Sequence, residues 1–125
     1  MEKRAITSKE ESMTKIEAII RMQRLEAVQD ALTELDISGM TVTEVKGMGR
    51  SKGITHTYRG SQYTLSLTPR YKIEIVVHDH EVEAVIAAIT EVARTGEVGD
   101  GKIFTYPLGE AVRIRTGERG DTALT

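Results

Sequence analysis

Lys15-Ile-Glu-Ala-Ile-Ile20 and Tyr71-Lys-Ile-Glu-Ile-Val-Val77 decide the fold. In the first, Ile16, Ala18 and Ile20 fall on one side of an extended chain and Lys15, Glu17, Ile19 and Arg21 on the other. In the second, Ile73, Ile75 and Val77 oppose Lys72, Glu74 and Val76. Period-two alternation belongs to strands that bury one face. Each stretch is followed by helical spacing. Leu25, Val28, Leu32 and Leu35 mark the first helix, with Ser38-Gly39 as its stop. Val82, Val85, Ile86, Ile89 and Val92 or Ala93 mark the second. For that helix Asp79 suits the N-cap, Arg94 the dipole near the end, and Gly96 a left-handed C′ position.

Outward from these pairs, Met40–Lys46 is rich in Thr and Val and reads as a strand. Lys102–Tyr106 reads as a short strand stopped by Pro107, and Ala111–Arg115 as a further extended piece. The order βαββαβ, with a long connection between the second and third strands, predicts an α+β ferredoxin-like sandwich. The sheet face away from the helices carries Lys15, Glu17, Lys72 and Glu74. It is either solvated with cross-strand Lys–Glu pairing or covered by another copy. Ile19 and Val76 are its apolar exceptions.

Composition narrows the function. The 125 residues, 13.8 kDa by mass, suit one domain, over 13–125, after a polar segment 1–12 expected to be a disordered extension. Seventeen Lys and Arg against nineteen Asp and Glu leave a net charge of -2, so no basic field draws the chain to nucleic acid. The central strands also lack the aromatics that stack RNA bases. The absence of cysteine removes disulfides, thiolate nucleophiles and Cys-type zinc sites, and fits a cytoplasmic location. No apolar run reaches membrane-spanning length, so direct insertion is not expected. No metal site from protein side chains and no carboxylate pair for catalysis is evident.

Three segments carry chemistry. Lys46-Gly-Met-Gly-Arg-Ser-Lys-Gly53 places Gly49 and Arg50 at a strand end, where backbone N–H groups and cations can approach an anion. It is neither a P-loop nor a dinucleotide fingerprint, because the required spacing and following helix are missing. Thr95-Gly-Glu-Val-Gly-Asp-Gly-Lys102 is either an anion-binding nest or a glycine-rich connection. In Arg113-Ile-Arg-Thr-Gly-Glu-Arg119, Arg113 and Arg115 share one face of an extended chain, suitable for two phosphate contacts. The connection 47–70 is basic and has no acid between Glu44 and Glu74. Its length points to function, with His56, Tyr58, Arg59 and Tyr63 as candidate contacts.

The runs Lys15–Ile20, Gly39–Gly47, Tyr58-Arg-Gly60, Gly99-Asp-Gly-Lys-Ile-Phe104 and Arg113–Arg119 together resemble the PII signal-transduction family, regulators of nitrogen, carbon and energy status. The resemblance implies a ferredoxin-like homotrimer that binds ATP or ADP in clefts between subunits, with Mg²⁺ accompanying ATP. It implies a mobile loop, here about 48–65, that engages partner proteins. Carried across, Ile19, Thr41 and Val76 contact the base, and Gly49 and Arg50 close over the nucleotide. Gly99, Asp100, Gly101 and Lys102 hold the phosphates, with Arg113, Ile114 and Arg115 from an adjoining subunit. Tyr63 matches a tyrosine that some members have uridylylated.

Departures from the family pattern qualify this. Ser51 stands for a glutamine that helps hold Mg²⁺ and 2-oxoglutarate, and Arg70 for a lysine that pairs with the 2-oxoglutarate carboxylate. Met48 replaces the usual Phe, and His56, Gln62 and Ser66 replace usual loop residues. The resemblance therefore implies a non-enzymatic regulator with a weak or absent 2-oxoglutarate response. Its partner is expected to be a membrane transporter (an ammonium channel or an ABC importer) or a metabolic enzyme. The alternatives are an ordinary 2-oxoglutarate-sensing nitrogen regulator and a slow nucleotide hydrolase.

Overall fold

The alternation of the two quoted stretches becomes the central pair of a four-stranded antiparallel sheet. The computed structural model describes residues 12–50, 56–58, 61–63 and 65–124, with backbone alone for 49, 50, 56–58, 61–63, 65 and 66. Strand β1 (Met13–Ile20) is followed by helix α1 (Leu25–Glu34), β2 (Thr41–Arg50), β3 (His56–Tyr58), β4 (Ser61–Tyr63), β5 (Leu65–His78), α2 (Val82–Ala93) and β6 (Lys102–Leu108). The main sheet runs β2-β5-β1-β6, and β3 pairs with β4 in a separate hairpin. This is the expected α+β ferredoxin-like fold.

Register explains the core. Ile16 lies opposite Ile75 and Ala18 opposite Ile73, so the apolar sides of β1 and β5 coincide. These residues, with Ile20 and Val77, pack against Val28 and Leu32 of α1 and Val85, Ile89 and Ala93 of α2. A one-residue slip would turn this whole set toward the polar face, which is why the register is strongly specified. On that other face Glu17 and Glu74 are direct cross-strand neighbours. Lys15 stands between them, 2.7 Å from Glu74 Oε2 and 3.9 Å from Glu17 Oε1, and its Nζ lies 5.3 Å from the Tyr106 ring centre. The Lys15 hydrogen bond holds the Glu74 carboxyl below its ordinary value.

Three expectations about the helix ends are corrected. The first helix is stopped by Asp36 rather than Gly39. Asp36 takes φ 66°, and Asp36 N–H and Ile37 N–H donate to the Thr33 and Leu32 carbonyls, a Schellman closure. The second helix is preceded by a 3₁₀ turn, Asp79–Glu81, whose cap is His78. Its N–H donates to Glu81 Oε1 at 3.0 Å, while Asp79 accepts from Thr14 Oγ1. Gly96 does have φ 89°, but it lies beyond an extended Arg94 and serves the following turn.

Strands also run further than their prolines suggest. β5 continues through Pro69 and pairs with β2 as far as Arg50 opposite Leu65, so much of the long connection is a two-stranded arm. Pro69 is tolerated because β1 pairs with β5 only from Tyr71 onward, leaving one edge of β5 open there. β6 likewise runs through Pro107 to Leu108 because it is an edge strand. Ala111–Arg115 is no strand. It joins a turn closed by a single bridge from Val112 to Arg119.

Ile16→Ala and Ile73→Ala each remove a fully buried side chain from facing strands. Each is expected to lower stability by about 2–5 kcal/mol in urea unfolding at fixed protein concentration.

Candidate functional site

The turn between α2 and β6 is built by one carboxylate. Asp100 accepts from Thr95 N–H and Gly96 N–H, both at 2.8 Å, from the Thr95 hydroxyl, and from Arg21 Nε at 3.0 Å. The Thr95 hydroxyl bond, then the Thr95 N–H, Arg21 and Gly96 N–H, hold this carboxyl well below the usual carboxylate range against the opposing effect of desolvation. Its acceptors are committed inside the turn, which makes it a structural staple and a poor general base.

Two glycines let the turn close. Gly101 has φ 105°, and a Cβ there would lie 1.8 Å from the Ile19 carbonyl oxygen, so only glycine fits. Gly99 has φ 103°, and its Cβ would meet Arg70 Nη2 at 3.0 Å and Arg21 Nη2 at 3.3 Å. Arg21 also donates to the Val98 carbonyl at 2.9 Å, and Arg70 to the Gly99 carbonyl at 3.1 Å. Among the described residues no hydrogen bond uses the N–H of Gly99 or Asp100. Lys102, the first residue of β6, is exposed and makes no ion pair among the described residues.

Gly99, Asp100, Gly101 and Lys102 line a cavity of about 550 Å³ with Ile19, Gly47, Met48, Thr68, Arg70, Glu97, Val98 and Phe104. Ile19, Gly99, Asp100, Gly101 and Lys102 are thus brought together, and the backbone of Gly49 and Arg50 continues β2 beside Gly47. Thr41 and Val76 are not with them. They line a second depression of about 780 Å³ with Lys15, Glu74, His78, Ala123 and Leu124. Arg113 and Arg115 do not share an extended face, because 114–116 is a turn. Arg113 pairs with Glu118 and donates to the Thr122 carbonyl at 2.9 Å, within its own loop. Arg115 is exposed, and Ile114 is 98% exposed. His56, Tyr58 and Tyr63 fall on the β3–β4 hairpin, described as backbone only. The expectations for Ser51, Arg59 and 1–11 lie outside the described residues.

Sequence reasoning missed Arg21 as a ligand of the turn and Thr95 as the partner of Asp100. The spacing Thr95…Asp100 was the available signal, since Thr and Asp side chains close short loops onto backbone N–H groups.

A ferredoxin-like sandwich with a glycine turn beside the base of a long β-arm defines a class of small α+β domains. Comparison makes the assignment specific. The family described as "Nitrogen regulatory protein P-II" matches residues 13–118, and the chain belongs to that family of nitrogen regulatory signalling proteins. It is 54% identical to the Nitrogen regulatory protein P-II of Rhodospirillum rubrum over 112 residues, 90% of this chain and all of that protein. Nitrogen regulatory protein P-II 1 of Escherichia coli K12 is 51% identical over the same shares. The crystal structure of Arabidopsis thaliana PII bound to citrate superposes with a TM-score of 0.75 at 42% identity, covering 90% of this chain and 92% of that one.

Two outcomes follow from the turn. Gly101→Ala, which drives a methyl into the Ile19 carbonyl, is expected to lower stability by about 3 kcal/mol or more in urea unfolding. Asp100 has a folded-state pKa below its unfolded value, so its stabilising effect is complete above the ordinary carboxylate value and is lost as pH falls toward the folded one. The stability difference between wild type and Asp100→Asn should therefore be constant from neutral pH to about pH 5 and shrink below about pH 4.

Proposed function

We propose that the chain is a non-enzymatic signalling regulator that binds ATP or ADP in clefts shared between the copies of a homotrimer. Nucleotide then sets the state of the β-arm for a partner, foremost a membrane transporter such as an ammonium channel or an ABC importer, otherwise a metabolic enzyme. The regulator acts in the cytoplasm. The observation that carries this reading is the turn 98–102. Among the described residues the N–H groups of Gly99 and Asp100 make no hydrogen bond and Lys102 makes no ion pair, and all three line a cavity at the base of the arm. Such a turn fits phosphate oxygens, and Ile19, Met48 and Phe104 supply apolar surface suited to a base.

Sharing between copies is supported by the separation of Ile19 and the glycine turn from Thr41 and Val76, which line a different depression. The charged sheet face supports it too, because Lys15 is already paired with Glu74 and can be covered without leaving either charge bare. Against a hydrolase stands Asp100, whose carboxylate is committed to four donors. A weak 2-oxoglutarate response is supported by Arg70. Its guanidinium donates to the Gly99 and Pro69 carbonyls, and Ser51 is shorter than the glutamine of the family pattern. Mg²⁺ accompanying ATP would neutralise phosphate charge, and Ser51 would offer it a shorter reach than the glutamine of the family pattern.

Calorimetry should give micromolar ATP or ADP affinity, roughly -8 kcal/mol, without marked enhancement by millimolar 2-oxoglutarate. Lys102→Ala should weaken ATP binding by about 1.5–3 kcal/mol. Ser51→Gln should gain a Mg²⁺-dependent 2-oxoglutarate effect. No nucleotide binding by wild type refutes the regulator, and strong 2-oxoglutarate synergy in wild type restores the ordinary sensor.

A further inference from the structure

Two arginines from distant parts of the chain converge on one glycine. Arg21 follows β1, and Arg70 sits at the root of the arm, opposite Val45 of β2. Their terminal nitrogens, Nη2 in both, lie 3.3 and 3.0 Å from where a Gly99 Cβ would be. Arg21 takes the Val98 carbonyl and Arg70 takes the Gly99 carbonyl. Every peptide bond described is trans, and a planar trans peptide points its C=O and the next N–H in opposite directions. Holding the Val98 carbonyl therefore aims the N–H of Gly99, and holding the Gly99 carbonyl aims the N–H of Asp100. Those two N–H groups are among the ones left unused in the turn by the described residues, together with those of Val98 and Gly101.

We infer that Arg21 and Arg70 are positioning residues that set the direction of the Gly99 and Asp100 N–H groups for an anionic ligand, and that Arg70 makes the root of the arm part of the same unit as the turn. Arg21 fixes the turn to the central strand. It bonds Asp100 through Nε and Val98 through Nη2, a fork that lysine does not possess. Arg70 fixes the turn to the arm. Nη1 holds the Pro69 carbonyl on the arm strand while Nη2 holds Gly99, 29 residues later. A ligand that tightens the turn then tightens 66–70, because the same guanidinium holds the Gly99 and Pro69 carbonyls, and it reaches 47–50 through the pairing of β2 with β5. Charge alone does not do this, since one ammonium does not reproduce the rigid two-pronged arrangement.

The inference rests on the proposed nucleotide site only for its ligand. Its test reads amide hydrogen exchange at 97–101 and at 47–50 and 66–70, with and without ATP, in wild type, Arg70→Lys, Arg70→Gln and Arg21→Lys. Ligand-free Arg70→Lys and Arg70→Gln should both exchange about threefold or more faster in the turn and in the arm root together. Arg21→Lys should loosen the turn and leave the arm root near wild type. With ATP, wild type should gain protection in both segments, whereas the Arg70 variants should gain it in the turn alone and bind about three- to tenfold more weakly. Arg70→Lys behaving as wild type would overturn the inference, because Arg70 would then supply charge only. Faster turn exchange in the Arg70 variants with an unchanged arm root would overturn the coupling. Should wild type bind no ATP, the functional proposal fails, and the ligand-free comparison still decides the positioning role. Should Arg70→Gln fail to fold, Arg70→Lys carries the same comparison.

Discussion

The approach of the Gly101 backbone to the Ile19 carbonyl fixes where the rest of the site stands. β1 is the central strand, paired on one side with β5 and on the other with β6. Lys102 enters β6 directly opposite Ile19, so the chain leaving α2 must pass across the end of β1 within van der Waals reach. A side chain at Gly101 would block that passage. With glycine, the turn settles between the end of β1 and the root of the arm, where Arg21 and Arg70 can both reach it. Core, turn and arm root are therefore connected through one stretch of backbone rather than through a large interface.

Electrostatics acts locally here. The chain is slightly acidic overall, at a net charge of -2, yet Arg70 and Lys102 line the cavity at the turn with Glu97 and Asp100, and Arg21 pairs with Asp100. Asp100 is spent on Thr95, Gly96 and Arg21, which leaves Arg70 and Lys102 as the cations and Glu97 as the other acid lining the cavity. The opposite sheet face is balanced by pairing instead, with Lys15 bridging Glu74 and Glu17.

The parts of the fold legible in the sequence were those set by periodicity. Ile16, Ala18 and Ile20 against Ile73, Ile75 and Val77 defined the core because burial on one face leaves a period of two in the residues themselves. Prolines and glycines were read too literally. Pro69 and Pro107 continue their strands because each lies where no partner needs its N–H, which depends on strand order and not on local composition. Asp36 displaced Gly39 as the helix stop because the Ile37–Leu32 closure falls one turn earlier. In the site, the glycine turn and Lys102 were visible as a motif. The convergence of Arg21 and Arg70 was not, since it joins residues far apart in the chain. Alternation puts Arg113 and Arg115 on one face only of an extended chain, and 114–116 turns instead.

A crystal structure of the protein with ATP tests the central claim most directly. The expected result is a triphosphate on the Gly99–Lys102 turn, with Thr41, Val76 and Arg113 of a neighbouring copy completing the cleft and the Arg70 bonds to Pro69 and Gly99 intact. Nucleotide bound away from the turn, or wholly within one chain, would contradict it.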